Sequence, residues 1–358
     1  MSIKKKPLES GLKIPRAYIN VGGHLYKDYS VSLIRLVALV FIVLCHFMQY
    51  YDNKLAWWFN VGTQIFICIS GYLYGMKDIS DVTCFYRKRL EKILLPYYIT
   101  LICAGIAIFI LARNQFSIAS FVKAIFLQAT IAGGGHLWFV KLILVCYLIT
   151  PLLNAYKHKY VKNRRTLLLF VVIGCFVIMS VFVPYSSSDS LNPAWIVCYV
   201  IGYALGINKR ERYISFKIIS ITICCVALIS NFLQIYLTYI TPIQLEGVMG
   251  VIFRRYKDYS HVVLGVSIFL LIKAIYPIIS RIPRINRLLD CSDKYSYEIY
   301  LVHQFFILGP LSILAIFNEW FIGWPLVVIL IMLSAFSLKF IANVLREVPV
   351  KFKNRKMK

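Results

Sequence analysis

The sequence predicts an all-α, polytopic membrane protein with about ten transmembrane helices and both termini cytoplasmic. Three observations carry this expectation. Of the 358 residues, 60% are hydrophobic and only 15% charged, against roughly 25% charged in a soluble domain. Apolar stretches approaching the roughly 20 residues that cross a hydrocarbon core recur along almost the whole chain. The 40 Lys and Arg residues, which give a net charge of +25, fall in short runs between those stretches, as expected of cytoplasmic loops.

The apolar segments lie near 30–50, 56–76, 93–112, 137–154, 166–184, 194–207, 214–238, 259–280, 296–316 and 322–344. They divide the chain into a basic N-terminal segment (1–29), a transmembrane domain (30–345) and a basic tail (346–358). Lys4, Lys5 and Lys6 are not followed by a short apolar core and cleavage site, so the first apolar run is expected to remain as a membrane helix. The second gap holds Arg87, Lys88, Arg89 and Lys92, and the fourth, sixth and eighth are also basic, whereas 185–193 and 317–321 contain no Lys or Arg. Such alternation requires an even number of spans with both ends on one side. The sixth segment is short and either extends further or is re-entrant. Residues 115–130 show helical apolar spacing and read as a helix lying in the outer interface. Residues 240–258 place Arg254, Arg255 and Lys257 on the outer side. Either they line a substrate entry or the span boundary there lies elsewhere.

Several function classes lose support. The basic charge is not interleaved with aromatic residues and no helix-turn-helix pattern occurs, so no nucleic-acid partner is expected. Ten cysteines include no CxxC pair and sit mostly in apolar segments; they read as small buried hydrophobes, and no metal site is expected. Walker A, GxGxxG, HExxH and GxSxG motifs are absent, which argues against ATP-driven transport and common hydrolase chemistry.

Polar groups inside spans cost several kcal/mol and so mark candidate sites. Arg35 and His46 lie eleven residues apart in the first span. At about 100° per residue they return to within roughly 20° of one helix face, with a rise of about 16 Å. Arg35 would lie near the cytoplasmic boundary and His46 in the outer half. Alone, Arg35 would also be explained by snorkelling to the headgroups, and His46 by a structural hydrogen bond. His136, after Gly133–Gly135, and His303 share the outer half as substrate-holding or proton-shuttling candidates. Glu298 is the clearest acid within a span; with Tyr295 and Tyr300 it would orient His303, pair with a cation or serve only structure. Gln64 is a weaker candidate. On the cytoplasmic side Arg87, Arg89 and Lys92 would cradle a phosphate, because guanidinium forks match phosphate oxygens; the alternative is charge that only sets topology.

Five stretches together resemble the membrane-bound acyltransferase family 3. They are Arg35-x10-His46, FNVGTQIFICISGYLYG (59–75), FYRKRLEKILLPYY (85–98), GGGHLWFVKLILVCYLITPLL (133–153) and SYEIYLVHQFF (296–306). The resemblance implies a ten-helix enzyme of the bacterial cytoplasmic membrane. It would move an acyl group, usually acetyl, from acetyl-CoA or another acyl-CoA to a hydroxyl of a surface polysaccharide or a lipid-linked sugar. Membrane lipid would be its other partner. In that frame His46 matches the essential histidine, Arg35 its partner arginine, and Arg89 the first arginine of an Arg-x-x-Arg motif. Two positions depart from the pattern: Lys92 replaces the second arginine, and Ser32 stands where an acid is often found three residues before Arg35. No appended extracytoplasmic hydrolase-like domain is expected, so the membrane domain would complete the transfer alone or with a separate partner. His46 would serve as general base or as transient acyl carrier. The competing classes are a transporter or flippase for a lipid-linked glycan, and a polymerase, which would want a larger outer loop.

Overall fold

The computed structural model describes residues 18–21, 24–159, 173–174, 177, 192–207, 213–317 and 319–355. A short antiparallel hairpin, β1 (Tyr18–Val21) and β2 (His24–Lys27), leads into a helical body. The helices are α1 (Tyr29–Tyr50), α2 (Ala56–Phe59), α3 (Gly62–Gly75), α4 (Val82–Leu111), α5 (Ile118–Ile125), α6 (Trp138–Lys159), α7 (Pro193–Ile207), α8 (Tyr213–Ile235), α9 (Gly247–Ile279), α10 (Ile285–Ile307) and α11 (Trp320–Arg355). Six helical stretches among the described residues are long and apolar enough to cross a membrane: Tyr29–Tyr50, Val82–Leu111, Gly135–Lys159, Ser220–Ile240, Gly247–Ile279 and Trp320–Glu347. The expected fifth span (166–184) lies outside the described residues, apart from 173–174 and 177.

Local chemistry sets the helix starts. The Asp28 carboxylate accepts from the Ser30 amide (3.1 Å) and caps α1. Asp81 caps α4 through the Cys84 amide (2.9 Å), and Ser117 caps α5 through the Ser120 amide (3.2 Å). Each satisfies an amide that the first helical turn leaves without an internal partner. Short α5 lies within the stretch expected to form an interfacial helix, and the Tyr97 hydroxyl ties it to α4 by donating to the Ala124 carbonyl (2.6 Å).

Several boundaries differ from the sequence expectation. The second segment is divided at Asn60–Val61 into α2 and α3. The stretch 240–258 is mostly not a separate outer segment, because α9 begins at Gly247 and carries Arg254, Arg255 and Lys257 within one continuous helix. Arg255 is buried there, 4.0 Å from Asp258 one turn on, so the helix itself supplies a counter-charge to a cation that the apolar pattern treated as a break. The ninth segment starts earlier than drawn and stops at Ile307, and Gly309 adopts φ +83° in the turn that follows. Helix α11 runs on to Arg355, so most of the expected tail is helical.

Helices α3 and α7 make the closest approach. Gly71 and Gly75 on α3 face Gly202 and Gly206 on α7. A Cβ on Gly71 would lie 2.0 Å from the Tyr199 carbonyl oxygen, and one on Gly202 would lie 2.2 Å from that of Cys68. The two GxxxG stripes thus allow backbone-to-backbone packing, which in a membrane replaces the hydrophobic drive available in water. The Cys198 thiol donates to the Gln64 carbonyl (3.3 Å) across the same seam.

Candidate active site

Helices α1 and α10 build the site together and run parallel. Arg35 Nη1 lies 2.5 Å from Asp293 Oδ1, and about three turns further along both helices the His46 and His303 rings are 5.0 Å apart. Arg35 and His46 therefore share the α10-facing side of α1, as their spacing predicted.

At the His46 level three imidazoles gather. Ring centroids are 4.8 Å apart for His136 and His303, 5.0 Å for His46 and His303, and 6.3 Å for His46 and His136. His136 lies in a 3₁₀ turn (Gly135–Leu137) that opens α6. The preceding turn requires glycine: Gly133 has φ +71°, and a Cβ on Gly309 would meet Gly133 Cα at 2.5 Å. Helix α10 then pins His136 three times. Its amide donates to Gln304 Oε1 (2.8 Å), its Nε2 donates to the Leu301 carbonyl (3.0 Å), and its carbonyl accepts from the Tyr300 hydroxyl.

These carbonyl contacts fix the tautomers, since a carbonyl can only accept. His136 carries its proton on Nε2, and its buried Nδ1 has no partner. His303 donates from Nδ1 to the Tyr300 carbonyl (2.7 Å), and its buried Nε2 has no partner. His46 Nδ1 sits 2.7 Å from Gln49 Oε1; with the amide oxygen facing it, the ring keeps its lone pair on Nε2. His136 and His303 are buried, whereas His46 is partly exposed. His46 is thus the ring of the three that a bound hydroxyl can most readily reach.

At the Arg35 level the groups are charged. Asp293 also accepts from Ser32 Oγ (2.6 Å) and pairs with Lys27 Nζ (2.7 Å). Arg89 on α4 stacks over the Tyr74 ring at 5.4 Å, with its buried Nε unpartnered. Lys92, one turn on, lies within electrostatic reach of Arg89, Arg35, Lys339 and Glu298. Tyr147 lies similarly near Arg89 and Arg35. Pro96 has no N–H, so the Lys92 carbonyl lacks its usual helical donor. Arg87 falls on the other side of α4 and is exposed. Of the expected phosphate cradle, Arg89 and Lys92 turn inward with Arg35 and Arg87 does not.

Glu298 belongs to this charged level, not to the histidines. It pairs with Lys339 Nζ at 3.0 Å, and the five-residue step along α10 turns and lifts His303 away from it. Tyr295 stays with it, its ring 5.5 Å from Lys339 Nζ, and Tyr300 stands with His136. Gln64 is buried on α3 with Oε1 unpartnered. Asp293, Lys339, Gln49 and Tyr74 were not expected. Lys339 did leave a signal, being a cation within the tenth apolar segment.

A multi-pass membrane protein with an imidazole cluster stacked over a partly buried cationic cluster is thereby defined. The family model described as an acyltransferase domain matches residues 28–344, which takes in both clusters. The chain belongs to acyltransferase family 3. Comparison with curated proteins and with solved structures gave no match.

Proposed function

We propose that this acyltransferase moves an acyl group, acetyl by default, from acetyl-CoA to a hydroxyl of a surface polysaccharide or of its lipid-linked precursor, in the bacterial cytoplasmic membrane. The observation that supports the reading best is the shared α1 face, with a cationic cluster at Arg35 and an imidazole cluster at His46. Donor phosphates, which are cytoplasmic and anionic, suit Arg89 and Lys92 at the basic end. The thioester then lies along α1 towards His46. His46 Nε2 takes the proton from the acceptor hydroxyl, and the oxygen attacks the thioester carbonyl. The C–O bond forms as the C–S bond breaks, and the thiolate takes the proton back from the imidazolium. Imidazole suits both transfers because its unperturbed pKa lies close to neutrality.

NMR of surface glycans from a deletion strain tests the assignment. Intact polymer lacking only its ester-linked acyl resonance supports it. Shortened or missing polymer that keeps its acyl groups would favour the transporter or polymerase classes. Arg89→Ala tests the donor end: KM for acetyl-CoA should rise by about tenfold, as expected for losing about 1.4 kcal/mol of charge-assisted bonding, with the acceptor KM unchanged. An unaltered donor KM would remove the phosphate cradle.

A further inference from the structure

We propose that Asp293 is a positioning residue for acyl transfer, holding the Arg35 guanidinium from the neighbouring helix so that its remaining donors face the acyl donor. This deepens the reading above, since it takes Arg35 as a donor-facing group.

The carboxylate is buried and its two oxygens are divided among three partners. Oδ1 takes Arg35 Nη1 at 2.5 Å, and Oδ2 takes Ser32 Oγ at 2.6 Å and Lys27 Nζ at 2.7 Å. Among the described residues, Asp293 is the one acid paired with Arg35. A guanidinium has five N–H donors. Among the described residues Arg35 spends one of them, from Nη1. The other four are left for a carbonyl or phosphate oxygen, while the bond to Asp293 tethers one end of the guanidinium.

Lys27 has a second acid. Asp290, one turn earlier on α10, accepts from Lys27 Nζ at 2.7 Å and from the Tyr29 hydroxyl at 3.0 Å. The two acids therefore divide their work. Asp290 helps to anchor the hairpin end, and Asp293 alone of the two reaches Arg35. Ser32 sits one turn before Arg35 on α1, with its hydroxyl already against the Asp293 carboxylate. An aspartate at position 32 would place a carboxylate in nearly the same space, but from α1 itself.

Purified protein reconstituted into liposomes, assayed with acetyl-CoA and acceptor glycan, tests this. Asp293→Asn should lower kcat/KM for acetyl-CoA by roughly 10–100-fold, the scale of an ångström-level misplacement, chiefly through the donor KM. Asp290→Asn should keep the donor KM within about twofold of wild type, since the charge it removes does not touch Arg35. The double variant Ser32→Asp/Asp293→Ser, which moves the carboxylate across to α1, should regain most of the lost activity. An unchanged donor KM in Asp293→Asn would overturn the proposal, as would an equal loss in Asp290→Asn. If Asp293→Asn fails to fold, the double variant decides: folded and active supports the proposal, folded and inactive overturns it. A wild-type protein that consumes no acetyl-CoA would sink the proposed function itself, before any variant is compared.

Discussion

Replacing His46 with alanine is expected to lower acyl transfer by about 10²–10⁴-fold, the usual contribution of a positioned general base, with the protein still inserted and folded. Three features of the site set this expectation. His46 is the partly exposed ring of the cluster, whereas His136 and His303 are buried. Its Nδ1 is held by Gln49 at 2.7 Å, which leaves Nε2 to receive a proton. His136 and His303 have backbone carbonyls as partners, so His303 is fixed by its own helix turn and His136 by the neighbouring α10. Truncating a partly exposed side chain also leaves no sealed cavity, so the fold should lose little. The measurement is acyl transfer from labelled acetyl-CoA by reconstituted protein, beside the amount of protein recovered from membranes. Wild-type rates in the alanine variant would remove His46 from the chemistry. Gln49→Leu should give an intermediate loss, because the ring stays but its tautomer is no longer fixed.

Gly202→Leu should disrupt the fold itself. A Cβ at that position would lie 2.2 Å from the Cys68 carbonyl oxygen, and at Gly206 it would lie 2.2 Å from that of Tyr72. The atoms in the way are backbone, which cannot rotate aside as a side chain can. Overpacking ordinarily costs about 1–3 kcal/mol, and a backbone clash in the tightest helix pair should reach or exceed the top of that range. The consequence extends to the site, since α3 also carries Tyr74 and Gln64. Loss of the monodisperse peak in detergent chromatography, or a clearly lowered unfolding temperature, is the expected result. Wild-type behaviour in both would mean that α3 and α7 do not meet through these glycines.

Legibility in the sequence followed the range of the interactions. Arg35 and His46 were readable because their relation is set within one helix, by a rotation and a rise. His136 and His303 were readable as costly polar residues, but their approach to His46 joins three distant segments and leaves no local pattern. Asp293 was passed over because the apolar segment was drawn from residue 296, although α10 begins at Ile285. Glu298 was placed near His303 by closeness in sequence, whereas the helix turns it to Lys339. The paired GxxxG stripes stood in plain view, yet which helix meets which is decided only by assembly.

The Arg35–Asp293 pair joins residues 258 positions apart. At 5–20 residues per second a ribosome needs roughly 10–50 s to travel that far. Throughout that interval the first helix is already in the bilayer with its guanidinium lacking this counter-ion, stretched towards the lipid headgroups. Biogenesis of the centre is therefore gated by the late arrival of α10. A nascent chain stalled before that point holds a cationic first helix without the counter-ion that the finished protein gives it.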